Sequence, residues 1–449
     1  MRNASVNAGA AGESTVGTPR SSERQRSRVT SQRTKDITLV RLKRCFENGH
    51  SVPMAFAPPR PAHRASPVPS APALARDLQV DALRGFAMVL VVVNHTELTS
   101  ALYFVTKERV GVVTGAEIFV AMSGFVLGML YRRRIAAMGL RRASLKLWQR
   151  SRKLYLASVG LVTTMWLLRE AGLDTSAVTT YTEQSTGEVY DLYANSGVAD
   201  LVLGILTLRL GPGEFNVMGL IVVLVALTPL ALWAMSRGAT VKLLVVSWAI
   251  WAFWLSDPPR ALPSQSENSF PLVLWQALFL LALALGYHRD RIAALARSPA
   301  ARPMAVLVAA LFVIGLFYTW NNPSIAPGGA SLGIISEDAF NDVYARFFQR
   351  TQLGIGRIVS TVVVLIVLYA LLLRVRPLWR SVAWFLVPFG QATFYVFILH
   401  VPLIVLVHAA ASELGGRNGV VVNTTLQLVA LMLLWCMVKR RVLFSIVPR

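Results

Sequence analysis

Cysteine is nearly missing from this 449-residue chain: the two present are Cys45, in a polar N-terminal stretch, and Cys436, inside an apolar run. That count excludes a disulfide framework and a cysteine-based metal site. Charge is scarce too, at 15% of residues against 54% hydrophobic ones, and the mean hydropathy is +0.52. A water-soluble domain of this length could hardly bury so much apolar surface, so the solvent is a bilayer. Also missing are a phosphate-cradling P-loop, a dinucleotide-binding glycine fingerprint and any His/Cys/Asp cluster with metal-ligand spacing, so no metal is expected.

What charge there is has one dominant sign. The formal net charge is +22, which taken alone suggests nucleic acid, but cytoplasmic loops of a membrane protein supply the same excess. Position favours the loops, and no nucleic-acid partner is expected. Residues 1–76 are rich in Ser, Arg, Pro and Ala and cannot build a core, so they read as a disordered, basic, cytoplasmic tail. Within the tail, DITLVRLKRCFE (Asp36–Glu47) mixes basic and apolar residues and is either solvated or laid on an anionic surface. No signal-peptide apolar region precedes a cleavage site, so the tail is expected to be retained.

Residues 77–449 read as one integral membrane domain, an all-α polytopic helix bundle. About 20 apolar residues are needed to cross roughly 30 Å of hydrocarbon. Ten stretches approach that: about 83–103, 113–131, 154–168, 217–235, 241–255, 270–287, 304–319, 358–373, 389–409 and 420–438. VADLVLGILTLRLG (Val198–Gly211) is shorter and reads as a re-entrant or interfacial helix. With ten spans and both termini cytoplasmic, the inside loops carry more than twice as many Lys and Arg as the outside loops. Counting Val198–Gly211 as a span would invert every later loop. The long outer segments 170–216 and 320–357 are either solvated loops or covers for a cavity.

The first span begins DALRGFAMVLVVVNH (Asp81–His95). Arg84 and His95 are eleven positions apart, so at about 100° per residue they share one helix face, roughly 16 Å apart along the axis. A guanidinium can hold phosphates, and an imidazole can take a proton near neutral pH. Structural readings stand beside these: Arg84 as a positive-inside anchor paired with Asp81, and His95 hydrogen-bonded inside the bundle. In the second span, GAEIFVAMSGFVLGMLYRRR, Glu117 can reach the level of His95 and stabilise an imidazolium, while Gly124 and Gly128 form a face for close packing. His400, just before Pro402, is read evenly as satisfying a proline-kinked helix or as a site residue. His288 and His408 read as structural, Arg357 as a headgroup anchor, and the tryptophans, Trp251 and Trp275 among them, as an interfacial belt.

DALRGFAMVLVVVNH followed by GAEIFVAMSGFVLG resembles the opening of the OpgC family, related to the integral-membrane acyltransferase 3 enzymes, whose first span carries an arginine, ten residues and a histidine. FPLVLWQALFLLALALGYHRD (Phe270–Asp290), RTQLGIGRIV (Arg350–Val359) and FGQATFYVFILHVPL (Phe389–Leu403) resemble later blocks, so the likeness covers about 76–439. It implies a membrane-bound O-acyltransferase of the inner membrane that moves an acyl group, often succinyl, from cytoplasmic acyl-CoA to a hydroxyl of a periplasmic glucan or another envelope glycan.

By this resemblance His95 matches the essential histidine, Arg84 its partner near the donor with Asp81 shaping the entrance, and His400 a later site histidine. Two positions depart from the pattern: Asn94 and Asn216 stand where acidic residues are common, which leaves Glu117 as the compensating acid or signals a changed substrate. Both asparagines are candidate substrate contacts. The rival from another class is a transporter or flippase using His95 and Glu117 as a proton relay.

Overall fold

The computed structural model describes residues 76–182, 189–193, 197–323, 331–414 and 419–447. The expected tail, Arg76 excepted, and its Asp36–Glu47 stretch lie outside these residues. The first helix among the described residues is α1 (Leu78–His95), started by Asp77, whose carboxylate accepts from the Val80 amide at 3.1 Å. After the short α2 (Ala101–Thr106), α3 (Gly115–Met138) is started by a capping box in which Thr114 and Glu117 satisfy each other's backbone amides. Gly139, at φ 79°, ends α3 and turns the chain into α4 (Leu140–Glu170).

Then come α5 (Ser176–Thr179), a two-stranded antiparallel ladder of β1 (Thr180–Thr182) and β2 (Val189–Asp191), α6 (Val198–Leu206) and a 3-10 turn Gly213–Phe215 leading into α7 (Val217–Ser236). The remainder is helical: α8 (Thr240–Phe253), α9 (Ser266–Ser269), α10 (Leu272–Tyr287), α11 (Arg289–Ala296), α12 (Ala301–Thr319), α13 (Glu337–Phe347), α14 (Ile355–Arg374), α15 (Arg376–Gln391), α16 (Thr393–Glu413) and α17 (Val420–Arg440). The fold is the expected helical membrane bundle.

Each of the ten apolar stretches is mostly helical, though 83–103 is divided between α1 and α2 and 389–409 between α15 and α16; among the described residues 7 helices are long and apolar enough to cross a bilayer, or up to 8 if α10 and α11, bent by 73°, form one broken span. The difference has two visible causes. The apolar stretch 154–168 is the second half of the 31-residue α4, whose first half is strongly basic. The stretch 241–255 gives a helix of only 14 residues, about 21 Å at 1.5 Å per residue. Val198–Gly211 is helical only to Leu206, nine residues, too short to cross; Leu208 follows at φ 55° and turns the chain back.

Around α1 pack α3, α15 and α16, and α3 in turn packs along α10. Two of these crossings are backbone-to-backbone. A Cβ added at Gly124 or Gly128 would overlap the carbonyl oxygens of Phe279 or Leu283, and one at Gly286 that of Phe125. Gly85 and Gly390 do the same for α1 against α15, meeting Leu386 and Asp81. Small residues are what membrane helices need for such approach, since apolar side chains gain little by leaving lipid for protein. At the periphery, α12 packs on α14 and leaves Met304, Val306, Val313 and Ile314 facing outward, which hydrocarbon solvates.

Gly128→Ala is expected to lower the unfolding temperature of the detergent-purified protein, with overpacking costing about 1–3 kcal/mol. Gly160→Ala, where nothing lies within 4 Å, is expected to leave it unchanged or raise it. Tryptophan fluorescence during a thermal ramp measures both.

Candidate functional site

His95 ends α1, and its Nδ1 lies 3.0 Å from Nε2 of His400 on α16, 305 positions along the chain. The rings sit 5.2 Å apart, tilted by 35°. The second nitrogen of His400, Nδ1, is 2.5 Å from the carbonyl oxygen of Phe397. A carbonyl can only accept, so His400 Nδ1 carries a proton, and in the neutral ring its Nε2 is then a lone pair. That lone pair must accept from His95 Nδ1–H, which leaves His95 Nε2 as the free lone pair. The tautomers are thus assigned by the network, one bond at a time. His400 is fully buried and His95 half-buried, so the chain of donors ends on an accessible base.

The end of α1 is clamped by polar groups from the last two helices. Gln427 on α17 donates to Val93 O at 3.2 Å and to Thr96 Oγ1 at 2.6 Å, and accepts from Ser100 at 2.5 Å. Asn423 donates to Thr99 O at 2.9 Å, and His408 Nε2 donates to Thr96 O at 2.7 Å, the structural role expected of that histidine. Asn94 accepts from Thr106 on α2 at 3.2 Å and so tethers the loop after His95. Glu97 follows in the left-handed region at φ 48°, as does Glu108 at φ 50°. For non-glycine residues this is strain, of the kind that collects at functional sites. Gln427 and Asn423 were legible as two amides four positions apart in a largely apolar span.

Glu117 is hydrogen-bonded to Arg357 and Thr114 and not to His95. Its Oε1 accepts from Arg357 Nη1 at 2.7 Å and its Oε2 from the Thr114 amide at 2.8 Å and the Thr114 hydroxyl. Arg357 is fully buried, correcting the headgroup-anchor reading: it also pairs with Glu108, donates to Tyr344 at 2.6 Å and donates through Nε to Phe348 O at 2.6 Å. The physical reason is the cost of a lone charge away from water. A guanidinium sealed in the bundle needs counter-charges within contact, and the two glutamates supply them. Tyr344 lies on α13, outside the spans; burial, with the Glu108 charge beside it, pushes its phenol up.

The tryptophan belt is corrected in part. The indoles of Trp275 and Trp251, both buried, donate to Thr351 O and Leu353 O, each at 3.2 Å. They pin the loop that presents Arg350, an exposed residue whose guanidinium lies 5.6 Å from the Phe270 ring centre and whose charge acts on His95 and Glu117. Trp320 and Trp384 are exposed, as a belt would be.

At the other end of α1, Asp81 pairs with Arg84 at 3.5 Å, as expected, and also with Arg76 at 3.1 Å. Asp77 is held by Arg289 at 2.7 Å and by Tyr369 at 3.1 Å. Arg84 lines a narrow crevice of about 10 Å³ with Ala87, Phe119, Met122, Ser123 and Thr393. Phe119 stacks on Phe397 at 5.1 Å, and Phe397 meets His400 at 5.0 Å. A continuous run of side chains therefore links Arg84 to the histidine pair. Asn216 sits at the start of α7 beside Phe215, whose ring meets Phe397 at 5.2 Å. The structure thus brings His95 and His400 into direct contact, links Arg84 to them through Phe119 and Phe397, and leaves Asn216 without a contact to the pair; Glu117 belongs to a separate ion-pair network.

Arg357→Met is expected to destabilise strongly, by about 3–5 kcal/mol, because two glutamates lose a buried partner. The companion triple variant Arg357→Met with Glu108→Gln and Glu117→Gln is expected to recover part of that loss, read by thermal unfolding of the purified protein.

No curated protein and no solved structure matches this chain. A family model described as OpgC protein matches residues 76–445. The match takes in α1 with Arg84 and His95, the clamp on α17 and the His400 helix, and the chain belongs to the OpgC family.

Proposed function

We propose that this protein is an acyltransferase that moves an acyl group from a coenzyme A thioester to a hydroxyl of a glucan. Membership of the OpgC family carries the coarser statement, a membrane enzyme that modifies glucans. The observation that supports the finer reading is the proton chain: Phe397 O accepts from His400, His400 accepts from His95, and the lone pair on His95 Nε2 is left free.

In the proposed reaction, His95 Nε2 takes the proton of the attacking hydroxyl as its oxygen bonds to the thioester carbonyl carbon. The tetrahedral centre collapses, the carbon–sulfur bond breaks, and the leaving thiolate takes the proton back from the imidazolium. His400 fixes the tautomer and shares the transient positive charge through its lone pair, the orienting role that a carboxylate has in a catalytic triad. The Arg84 guanidinium suits a phosphate-bearing donor arriving from the cytoplasmic side, with succinyl-CoA the donor suggested by the family resemblance. The excess of Lys and Arg on loops next to this end supports that orientation in a plasma membrane. The acceptor then comes from the other side, where α1 ends at His95.

His95→Ala is expected to lower succinyl transfer from succinyl-CoA to glucan in proteoliposomes by about 10²- to 10⁴-fold, the usual worth of a general base. His400→Phe is expected to fall in the lower part of that range, since the base survives and its orientation is lost. Unchanged transfer by His95→Ala would remove the proposal.

A further inference from the structure

Arg350 opens the RTQLGIGRIV block, and neither the histidine pair nor the ion-pair network uses its charge. Its guanidinium is exposed, makes no ion pair among the described residues and lies 5.6 Å from the Phe270 ring centre. An exposed cation is ordinarily a solvated group. The turn that carries this one is not built like a solvated loop. Two buried indoles grip it beyond Arg350, Trp275 at Thr351 O and Trp251 at Leu353 O, each at 3.2 Å. Before Arg350, Phe348 O accepts from Arg357 Nε at 2.6 Å. Within the turn the Leu353 amide donates to Arg350 O and the Gly354 amide to Gln349 O, both at 3.0 Å. Leu353 is held in the left-handed region at φ 48°, and a Cβ at Gly354 would overlap Phe347 O. Buried donors and local strain together fix where the guanidinium stands.

It stands near the histidine pair. His95 and Glu117 are both electrostatic neighbours of Arg350, and the nearby carboxylates are already committed. Glu117 is taken by Arg357 and Thr114, and Glu108 by Arg357 and Tyr344. No hydrogen bond joins Arg350 to His95 among the described residues, so its charge acts from beyond contact. A fixed, unpaired cation set off from a neutral base suits an anion that arrives with a substrate. In the proposed reaction the donor's phosphates sit at Arg84 and its thioester at His95, so the acyl chain continues past His95. A succinyl chain ends there in a carboxylate, two methylene groups from the reacting carbon.

We propose that Arg350 selects the acyl group: its guanidinium takes the free carboxylate of a dicarboxylic acyl chain in a forked pair of hydrogen bonds and so holds the thioester carbonyl at His95. The inference rests on the acyl-transfer reading and adds to it the group that tells a succinyl chain from an uncharged chain of the same length. No proton and no bond is exchanged at Arg350.

The test uses the full chain in proteoliposomes with a neutral β-glucan oligosaccharide and two donors of matched chain length, succinyl-CoA and butyryl-CoA. Arg350→Gln is expected to lower kcat/KM for succinyl-CoA about 10- to 100-fold, the usual worth of hydrogen bonds to a charged group, and to leave that for butyryl-CoA within about twofold. Arg350→Lys, which keeps the charge without the fork, is expected to fall between. Transfer from butyryl-CoA doubles as the folding control. Equal losses with both donors would make Arg350 a stabiliser of the oxyanion, and unchanged rates with both would make it a solvated residue. Losses confined to a glucan with an anionic substituent would assign it to the acceptor. Each of these outcomes overturns the proposal. Calorimetric titration with the two donors, without glucan, separates it from catalysis. Tighter binding of succinyl-CoA than of butyryl-CoA by the wild type, with the preference lost in Arg350→Gln, upholds it even if no glucan is acylated. Equal binding of both donors by the wild type overturns it while leaving acyl transfer standing.

Discussion

A single hydrogen bond between two imidazoles, His95 Nδ1 to His400 Nε2 at 3.0 Å, joins the first helix of the bundle to the last but one. It answers a constraint that the bilayer imposes. A proton acceptor below the lipid surface has to be neutral at rest, since a lone buried charge would be expensive. A carboxylate partner would place a permanent charge beside the base. The imidazole of His400, itself anchored on Phe397 O, fixes the same tautomer without one. In the proposed reaction the orienting role lies on another helix, which fits Asn94 in a position where an acid was the family expectation.

Two glutamates are instead gathered around one shared cation. Glu117 and Glu108 both close on Arg357, which is fully buried, and Tyr344 from α13 joins them. Ionic bonding and the proposed proton transfer are thus kept in adjacent but separate places. The ionic network ties α3, α14 and the outer helix α13 into one unit, and the histidine pair works from a neutral one. Close backbone crossings at Gly124, Gly128, Gly85 and Gly390 hold α1, α3, α10 and α15 near enough for both networks to form.

Much of this was legible in the sequence wherever the signal was local. Apolar runs located the helices, the eleven-residue interval placed Arg84 and His95 on one face, and Gly124 and Gly128 announced close packing. What was not legible depends on which distant side chains meet. Nothing near Glu117 tells that Arg357, 240 positions away, takes its charge. Equally, His400 could be read as serving Pro402, because its neighbour across the bundle is 305 positions away. The span count suffered for a related reason: hydropathy sees the apolar half of α4 as a span, whereas the helix itself runs on through a basic half that composition assigns to a loop. Trp251 and Trp275 were read by residue type, and only packing shows that their indole N–H groups hold the Arg350 loop.

The tautomer of His95 is the claim on which the chemistry stands. Nitrogen-15 NMR of the protein labelled only at histidine, with His95→Gln and His400→Gln spectra for assignment, reads the protonation of each ring nitrogen directly. The account requires protonated Nδ1 and bare Nε2 in both rings at neutral pH, with the two signals coupled across the hydrogen bond. A bare Nδ1 on His95, or a cationic His95 at rest, would contradict it.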